Sequence, residues 1–323
     1  MEAYLGIDVG SVTTKLAALD ENDELMAHVY QPTRGQPIEM VQRGLEQIKE
    51  QLPADVDICG VATTGSARYL AGVIVNADLV KNEITSHATA ALSYFPEVQT
   101  VLEIGGQDSK IIIIRDGIVT DFGMNTVCAA GTGSFLDHQA LRLNMTIEEF
   151  SQRAMDSQST VRIAGRCTVF AESDMVHKQQ VGHKIEDILY GLCQALVRNY
   201  INNIALGKEI KSPIAFQGGV AFNQAIVKAF KEELGAEVIV PRHHELMGAI
   251  GVALLVHEEM VNNKKSKFTG FQVSEAKYRT SSFECKSCTN LCEIAQISTN
   301  GQTLARWGGR CDMWERMPAE ETR

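Results

Sequence analysis

The chain has 323 residues, 45% of them hydrophobic and 22% charged, which is enough for two packed cores and an appendage and too apolar for a disordered protein. A net charge of −10 with no dense Lys/Arg run argues against binding to a phosphate backbone, so nucleic acid is not an expected partner. The opening Met1-Glu2-Ala3-Tyr4 carries an acid where a secretory leader carries positive charge, and no apolar run approaches the ~20 residues of a membrane span, so the expectation is a soluble, cytoplasmic protein.

Gly6-Ile7-Asp8-Val9-Gly10-Ser11, with Lys15 and the apolar Leu16-Ala17-Ala18-Leu19, reads as strand, tight acidic glycine turn, strand, ending at the polar turn Asp20-Glu21-Asn22-Asp23-Glu24. Ile38, Val41, Leu45 and Ile48 then repeat at helical spacing up to Pro53. Ile58 to Ala62 resumes as a strand. Glu103-Ile104-Gly105-Gly106-Gln107-Asp108-Ser109-Lys110, followed by Ile111 to Ile114 and the turn Arg115-Asp116-Gly117, echoes the opening and marks a duplicated unit. A helical stripe runs from Ile185 to Leu206. After it come a strand at Ile214-Ala215-Phe216 meeting Gly218-Gly219, a helix from Asn223 to Leu234, a strand at Val238-Ile239-Val240 and a final helix from Met247 to Met260. Alternation of this kind predicts α/β domains with a mixed or parallel sheet flanked by helices. Asn262 to Lys267 reads as a polar linker, and beyond it lies a cysteine-rich tail with little periodicity. The expected domains are residues 1–95, 96–261 with the last helix returning to the first domain, and 268–323.

Glycines at a strand end let backbone N–H groups approach phosphate oxygens, and concave rows of such donors bind anions. A carboxylate in the same turn then makes sense if Mg²⁺ or its water shell lies between it and the phosphates, or if it orients the attacking water; Asp8 and Glu103 are the candidates. Gln107 is a water-positioning amide, and Ser11, Thr13 and Lys15 offer donors to the terminal phosphates. Val12, Gly10, Gly105, Gly106 and Asp108 complete the two loops, and Gly218-Gly219-Val220 supplies a third.

Asp8-Val9-Gly10-Ser11, Ile104-Gly105-Gly106-Gln107-Asp108 and Gly218-Gly219-Val220-Ala221 together resemble the acetate/sugar kinase, heat-shock-70 and actin superfamily. Cys128-Ala129-Ala130-Gly131-Thr132-Gly133 and Cys167-Thr168-Val169-Phe170-Ala171-Glu172-Ser173 narrow this. They resemble the ATPase activators of 2-hydroxyacyl-CoA dehydratases and benzoyl-CoA reductases, over residues 3 to 258, with the reductase of the double-cubane-cluster protein as a similar case. The resemblance implies duplicated actin-like domains around an interdomain nucleotide cleft, in which Gly131, Thr132 and Gly133 also serve ATP or ADP. It further implies a homodimer holding one [4Fe–4S] cluster through Cys128 and Cys167 of each subunit, a ferredoxin or flavodoxin donor, and an iron–sulfur acceptor enzyme. Two thiolates per chain are too few for a cubane, so a two-fold dimer is the economical way to complete the set. Glu103 stands where the family usually has Asp.

Eight cysteines in a cytosolic chain point to metals or redox chemistry before disulfides. Cys59 and Cys193, on an apolar strand and an apolar helix, read as core residues. Cys285-x-x-Cys288-x-x-x-Cys292 with Cys311 suits a tetrahedral site, either zinc or a second [4Fe–4S] cluster, with disulfides or free thiols as the alternative; this tail departs from the short activators. His243-His244 reads as a solvated loop, and His177 and His183 as an exposed helix or a docking surface. Two rival functions are a small-molecule kinase on the same fold, which leaves Cys128 and Cys167 unexplained, and a nucleotide-dependent docking module with a zinc-bound tail.

Overall fold

Two five-stranded sheets organise the chain, and the computed structural model describes residues 1–125, 129–165, 167–261, 265–311 and 313–316. The chain divides into one unit of residues 1–82 and 252–323 and a second of residues 83–251.

In the first unit, β1 (Glu2–Val9), β2 (Thr13–Asp20) and β3 (Leu25–Pro32) form an antiparallel meander. Helix α1 (Pro37–Gln51) follows, with proline in its first turn and Met40, Val41, Gly44, Leu45 and Ile48 buried at helical spacing. β4 (Asp57–Thr64) then pairs parallel to β1, and after α2 (Arg68–Val75) the short β5 (Leu79–Val80) closes the order β3-β2-β1-β4-β5. Leu5, Ile7, Leu16, Leu45, Ile48, Val61 and Ile74 are fully or almost fully buried in one cluster, the apolar side of the sheet against its helices.

The second unit repeats the scheme. Helix α3 (Glu83–Tyr94) leads to β6 (Thr100–Ile104), β7 (Ser109–Arg115) and β8 (Ile118–Asn125), again an antiparallel meander. Helices α4 (Gly133–Arg142), α5 (Ile147–Met155), α6 (Thr168–Gln180) and α7 (Ile185–Asn203) precede β9 (Ile214–Gln217), which pairs parallel to β6. Thr146 caps α5 by accepting from the Glu149 N–H, and Asn223 caps α8 (Gln224–Leu234) by accepting from the N–H groups of Ala225 and Ile226. β10 (Val238–Ile239) completes the order β10-β9-β6-β7-β8. Helix α7 carries twelve buried residues, the core-facing stripe its sequence predicts.

The unit boundary falls within α9 (Met247–Met260), whose Val252, Val256 and Met260 pack with Tyr4 and Ala62 of the first unit. Past it, β11 (Tyr278–Glu284), β12 (Glu293–Thr299) and β13 (Gln302–Trp307) form a third, antiparallel sheet followed by α10 (Met313–Arg316). Val273 and Ile297 are buried in the first unit's own core, and Gln42 Nε2 donates to the carbonyls of Val273 and Ala276 at 3.2 and 2.8 Å. The tail is thus built into the first unit. No helix of the described residues is long and apolar enough to cross a membrane.

Candidate functional site

The β1–β2 ladder sets Asp8 directly across from Lys15, and Lys15 Nζ lies 3.0 Å from Asp8 Oδ2. The turn between them is closed by the Gly10 N–H donating to the Thr13 carbonyl, and Thr33 braces it by donating its hydroxyl to the Gly10 carbonyl at 2.8 Å. Ser11 is exposed at the tip, with Val12 and Thr13 half-buried beside it. Gly65, just past β4, has φ of +93°, and a Cβ there would lie 2.5 Å from the Val9 carbonyl and 2.6 Å from Asp8 Oδ1. Only glycine fits so close an approach at that backbone angle.

The second unit builds the same arrangement from different residues. β6–β7 pairing sets Glu103 across from Lys110, and Lys110 Nζ lies 3.1 Å from Glu103 Oε2. Gly218, just past β9, also has φ of +93°, and a Cβ there would lie 2.4 Å from the Ile104 carbonyl and 2.8 Å from Glu103 Oε1. An acid on the first strand, a lysine seven residues later and a left-handed glycine after the parallel neighbour therefore recur in both units. Lys110 has two further carboxylates, Glu83 at 2.7 Å and Asp108 at 2.9 Å. Burial alone would lower the Lys110 pKa, but Glu103, Glu83 and Asp108 outweigh it and hold the ammonium charged well above the ordinary lysine range.

The Gly105-Gly106 turn is closed by the Gly105 N–H donating to the Asp108 carbonyl, and α4 docks on its back. There the N–H groups of Gly133 and Ser134 donate to the carbonyls of Gly105 and Gly106 at 2.9 and 2.8 Å. A Cβ at Gly133 would meet Val220 Cγ2 at 2.9 Å. Glu103, Gly105, Gly106, Asp108, Gly133, Gly218 and Val220 thus come together in one unit. Gly219 begins the 3₁₀ turn after Gly218, Thr132 is buried with its hydroxyl on the Ala129 carbonyl, and Gln107 is exposed on the loop.

Several of these partners escaped the sequence reading. Gly65, Glu83 and Lys110 were not among its candidates. His244 is not simply a solvated loop residue: its carbonyl accepts from the Gly218 N–H at 2.8 Å, and its Nδ1 lies 2.9 Å from the Gly218 carbonyl.

Of the two expected cluster cysteines, Cys128 lies outside the described residues. Cys167 is the N-cap residue of α6 and is half-buried, with the exposed apolar side chains of Val169 and Phe170 on the following turn. Gly131 sits over Asn199 of α7, whose Oδ1 would lie 2.9 Å from a Cβ there. Cys193 is fully buried, which pushes its thiol pKa up, whereas Cys59 is half-buried.

In the tail, Cys285 and Cys292 face each other at the end of the β11–β12 ladder, the Cys285 N–H donating to the Cys292 carbonyl at 2.7 Å. The Trp314 indole N–H donates to Cys285 Sγ at 3.2 Å. Cys288 and Cys311 are exposed. Among the described residues, no group of three or more His, Cys, Asp or Glu side chains is arranged to hold a metal ion.

The model of the BadF/BadG/BcrA/BcrD ATPase family matches residues 5–256. The 2-hydroxyisocaproyl-CoA dehydratase activator of Clostridioides difficile is 33% identical over 263 residues, covering 81% of this chain and 97% of that protein. The (R)-2-hydroxyglutaryl-CoA dehydratase activating ATPase of Acidaminococcus fermentans is 34% identical over 263 residues, with 79% and 97% covered. The structure solved for the activator of the 2-hydroxyisocaproyl-CoA dehydratase with bound ADPNP superposes with a TM-score of 0.73 at 32% identity, over 81% of this chain and 96% of that one. The α/β, duplicated actin-like fold expected from the sequence is the fold observed, with the third small sheet added at the C-terminal end.

Proposed function

The chain belongs to the BadF/BadG/BcrA/BcrD ATPase family, and from that premise we propose that it couples MgATP hydrolysis to the delivery of single electrons, through a [4Fe–4S] cluster shared by two copies of the chain, to a partner iron–sulfur enzyme. The observation that carries the ATPase half is the repeated acid, lysine and left-handed glycine: Asp8, Lys15 and Gly65 in one unit, Glu103, Lys110 and Gly218 in the other. Two buried carboxylates beside open glycine turns fit a hydrated Mg²⁺ better than direct phosphate contact, since a carboxylate against a phosphate oxygen would be repelled. In this reading the residues of each set act on MgATP. The N–H groups of Ser11 to Thr13 and of Gly106 take the phosphates, together with the Lys15 ammonium, on turns that the Gly10 and Gly105 N–H groups close. Asp8 and Glu103 hold the metal's water shell, and Gln107, exposed on its loop, aligns the attacking water. Gly131 to Gly133 and Gly218 to Val220 give the nucleotide close backbone approach.

The redox half rests on Cys167, the N-cap residue of a thirteen-residue helix whose positive end suits the negative charge of a bound cluster. Cys128 and Cys167 of two subunits would hold the cluster, which when bound supplies one electron at a time. Relatives named as activators of dehydratases support an acceptor enzyme of that kind; a ferredoxin or flavodoxin as donor is part of the same proposal. The test is an anaerobic preparation assayed for MgATP hydrolysis, for iron per dimer and for MgATP-dependent reduction of an acceptor dehydratase. The expected result is hydrolysis, about four irons per dimer and reduction that stops when ATP is withheld. A colourless monomer that takes up no iron would end the proposal.

A further inference from the structure

Helix α7 contacts both cysteine-bearing segments through one side chain. Asn199, 2% exposed, donates from Nδ2 to the Gly165 carbonyl at 2.6 Å, two residues before Cys167 in the sequence. Its Oδ1 lies where a Cβ on Gly131, three residues after Cys128, would come within 2.9 Å. That oxygen and the hydroxyl of fully buried Ser109, which also borders Gly131, have no hydrogen-bond partner within the described residues. Three further residues of α7 hold the same segment. Arg198 donates to the Ile163 carbonyl at 2.8 Å, a Cβ on Gly165 would meet the Ala195 carbonyl at 2.9 Å, and one on Gly191 would meet the Val161 carbonyl at 2.3 Å. From the α6 side, Asp174 accepts from the Ala164 N–H at 2.8 Å. The segment from Val161 to Gly165 is therefore laid along α7.

We infer that Asn199 is a positioning residue for the cysteine centre, tying the approach to Cys167 and the Gly131 turn to a single rigid helix. This rests on the electron-transfer reading for its purpose, but its geometric content is independent of it. Groups that orient metal ligands from behind are worth about 10- to 100-fold in metal affinity when removed.

The experiment compares full-length wild type with Asn199→Ala, the near-isosteric Asn199→Asp, and Asn203→Ala, a change on the same helix whose side chain bonds the Asn199 carbonyl. In iron-free protein, alkylation of Cys167 is followed by peptide mass spectrometry. Both Asn199 variants should be alkylated about fivefold faster, the factor one lost hydrogen bond is worth, while Asn203→Ala follows wild type. In iron-loaded protein, the Asn199 variants should surrender iron to a chelator at roughly tenfold lower concentration. Circular dichroism melting confirms that the compared variants are folded, and if Asn199→Ala does not fold, the volume-preserving Asn199→Asp carries the comparison. Alkylation and iron retention equal to wild type in the folded variants would overturn the inference. A wild type that takes up no iron counts against the electron-transfer reading alone, since the alkylation measurement still decides what Asn199 holds.

Discussion

Lys110 Nζ lies 3.1 Å from Glu103 Oε2 across the β6–β7 ladder, in the same register that sets Lys15 3.0 Å from Asp8 across β1–β2. The two pairs differ in surroundings. The Lys15 side chain is 16% exposed, while that of Lys110 is 2% exposed and also meets Glu83 and Asp108. One ammonium thus compensates three carboxylates drawn from α3, β6 and the glycine loop, and the second unit's turn is held by charge where the first unit's is held by the hydroxyl of Thr33.

Replacing Lys110 should therefore unsettle more than a single pair. Lys110→Met removes the ammonium that buried Glu103 shares with Glu83 and Asp108, and removal of one partner from a buried ion pair costs about 3–5 kcal/mol. Urea unfolding should show that loss, with Lys110→Arg losing less. The pH dependence has a definite sign. A folded-state pKa raised above the unfolded value makes the stabilisation complete below the unfolded lysine pKa of about 10.4 and lost only as pH climbs from there toward the folded value. The difference between wild type and Lys110→Met should stay constant from neutral pH to about 10 and shrink above it.

Asp8→Asn and Glu103→Gln each preserve volume and remove one charge from a different unit. If each carboxylate holds the water shell of Mg²⁺, each change should lower kcat for ATP hydrolysis by about 10²-fold or more and raise the Mg²⁺ concentration giving half-maximal rate. Gln107→Ala should lower kcat with the Mg²⁺ requirement unchanged, because its amide acts on water and not on the metal. Phosphate release measured across a Mg²⁺ titration distinguishes the two patterns.

The two left-handed glycines make a sharper comparison. At Gly218 a Cβ meets the Ile104 carbonyl and Glu103 Oε1 at once, and at Gly65 it meets the Val9 carbonyl and Asp8 Oδ1. Alanine at either site is strained by about 1–3 kcal/mol for its backbone angle alone, and relief requires the acid to move. Gly65→Ala and Gly218→Ala should each lower the melting temperature and weaken ATP binding, whereas Gly35→Ala, at φ of +70° with open space around it, should lower the melting temperature only.

Local chemistry explains which parts of this site were legible in the sequence. Asp8 with Gly10, and Glu103 with Gly105 and Gly106, are neighbours along the chain, so an acidic glycine turn announces itself. Gly65 lies far from Asp8 in sequence, and Thr64-Gly65-Ser66 reads as an ordinary loop until β4 pairs with β1. Lys110 was visible only as the partner of Lys15 in the echo, because its role depends on acids at positions 83, 103 and 108 converging in space. His244 beside His243 reads as a loop pair in the sequence, and its clasp with Gly218 exists only in the folded chain. The tail's strands were hidden for another reason. In β12 the buried residues are Ile294 and Ile297, three apart, and the register with β13 shifts between Ile297 and Ser298, so no period of two survives to be read.

Ile297 turns that tail into a measurable part of the first unit. It is fully buried in the same cluster as Leu45 and Ile74, and Ile297→Ala should cost about 2–5 kcal/mol. Calorimetry should show the loss in the transition of the first unit and not as a separate early melting of the tail. A tail that melts alone, leaving that transition unchanged, would contradict the shared core.

Cys167→Ala is the change that best separates electron transfer from the rival of phosphoryl transfer to a metabolite. Cys167 is the N-cap of α6, yet its side chain makes no capping hydrogen bond, so alanine removes no cap and the structural cost should stay within about 0.5 kcal/mol. A thiol that only packed would therefore leave function almost unchanged when replaced. A thiol that holds iron would not: the dimer would be left with two cysteines where a cubane wants four. The expected variant is folded, hydrolyses ATP, and has lost both its brown colour and its delivery of electrons. Iron content and electron delivery equal to wild type, or undiminished phosphorylation of a metabolite by both proteins, would remove Cys167 from the redox centre and favour a kinase.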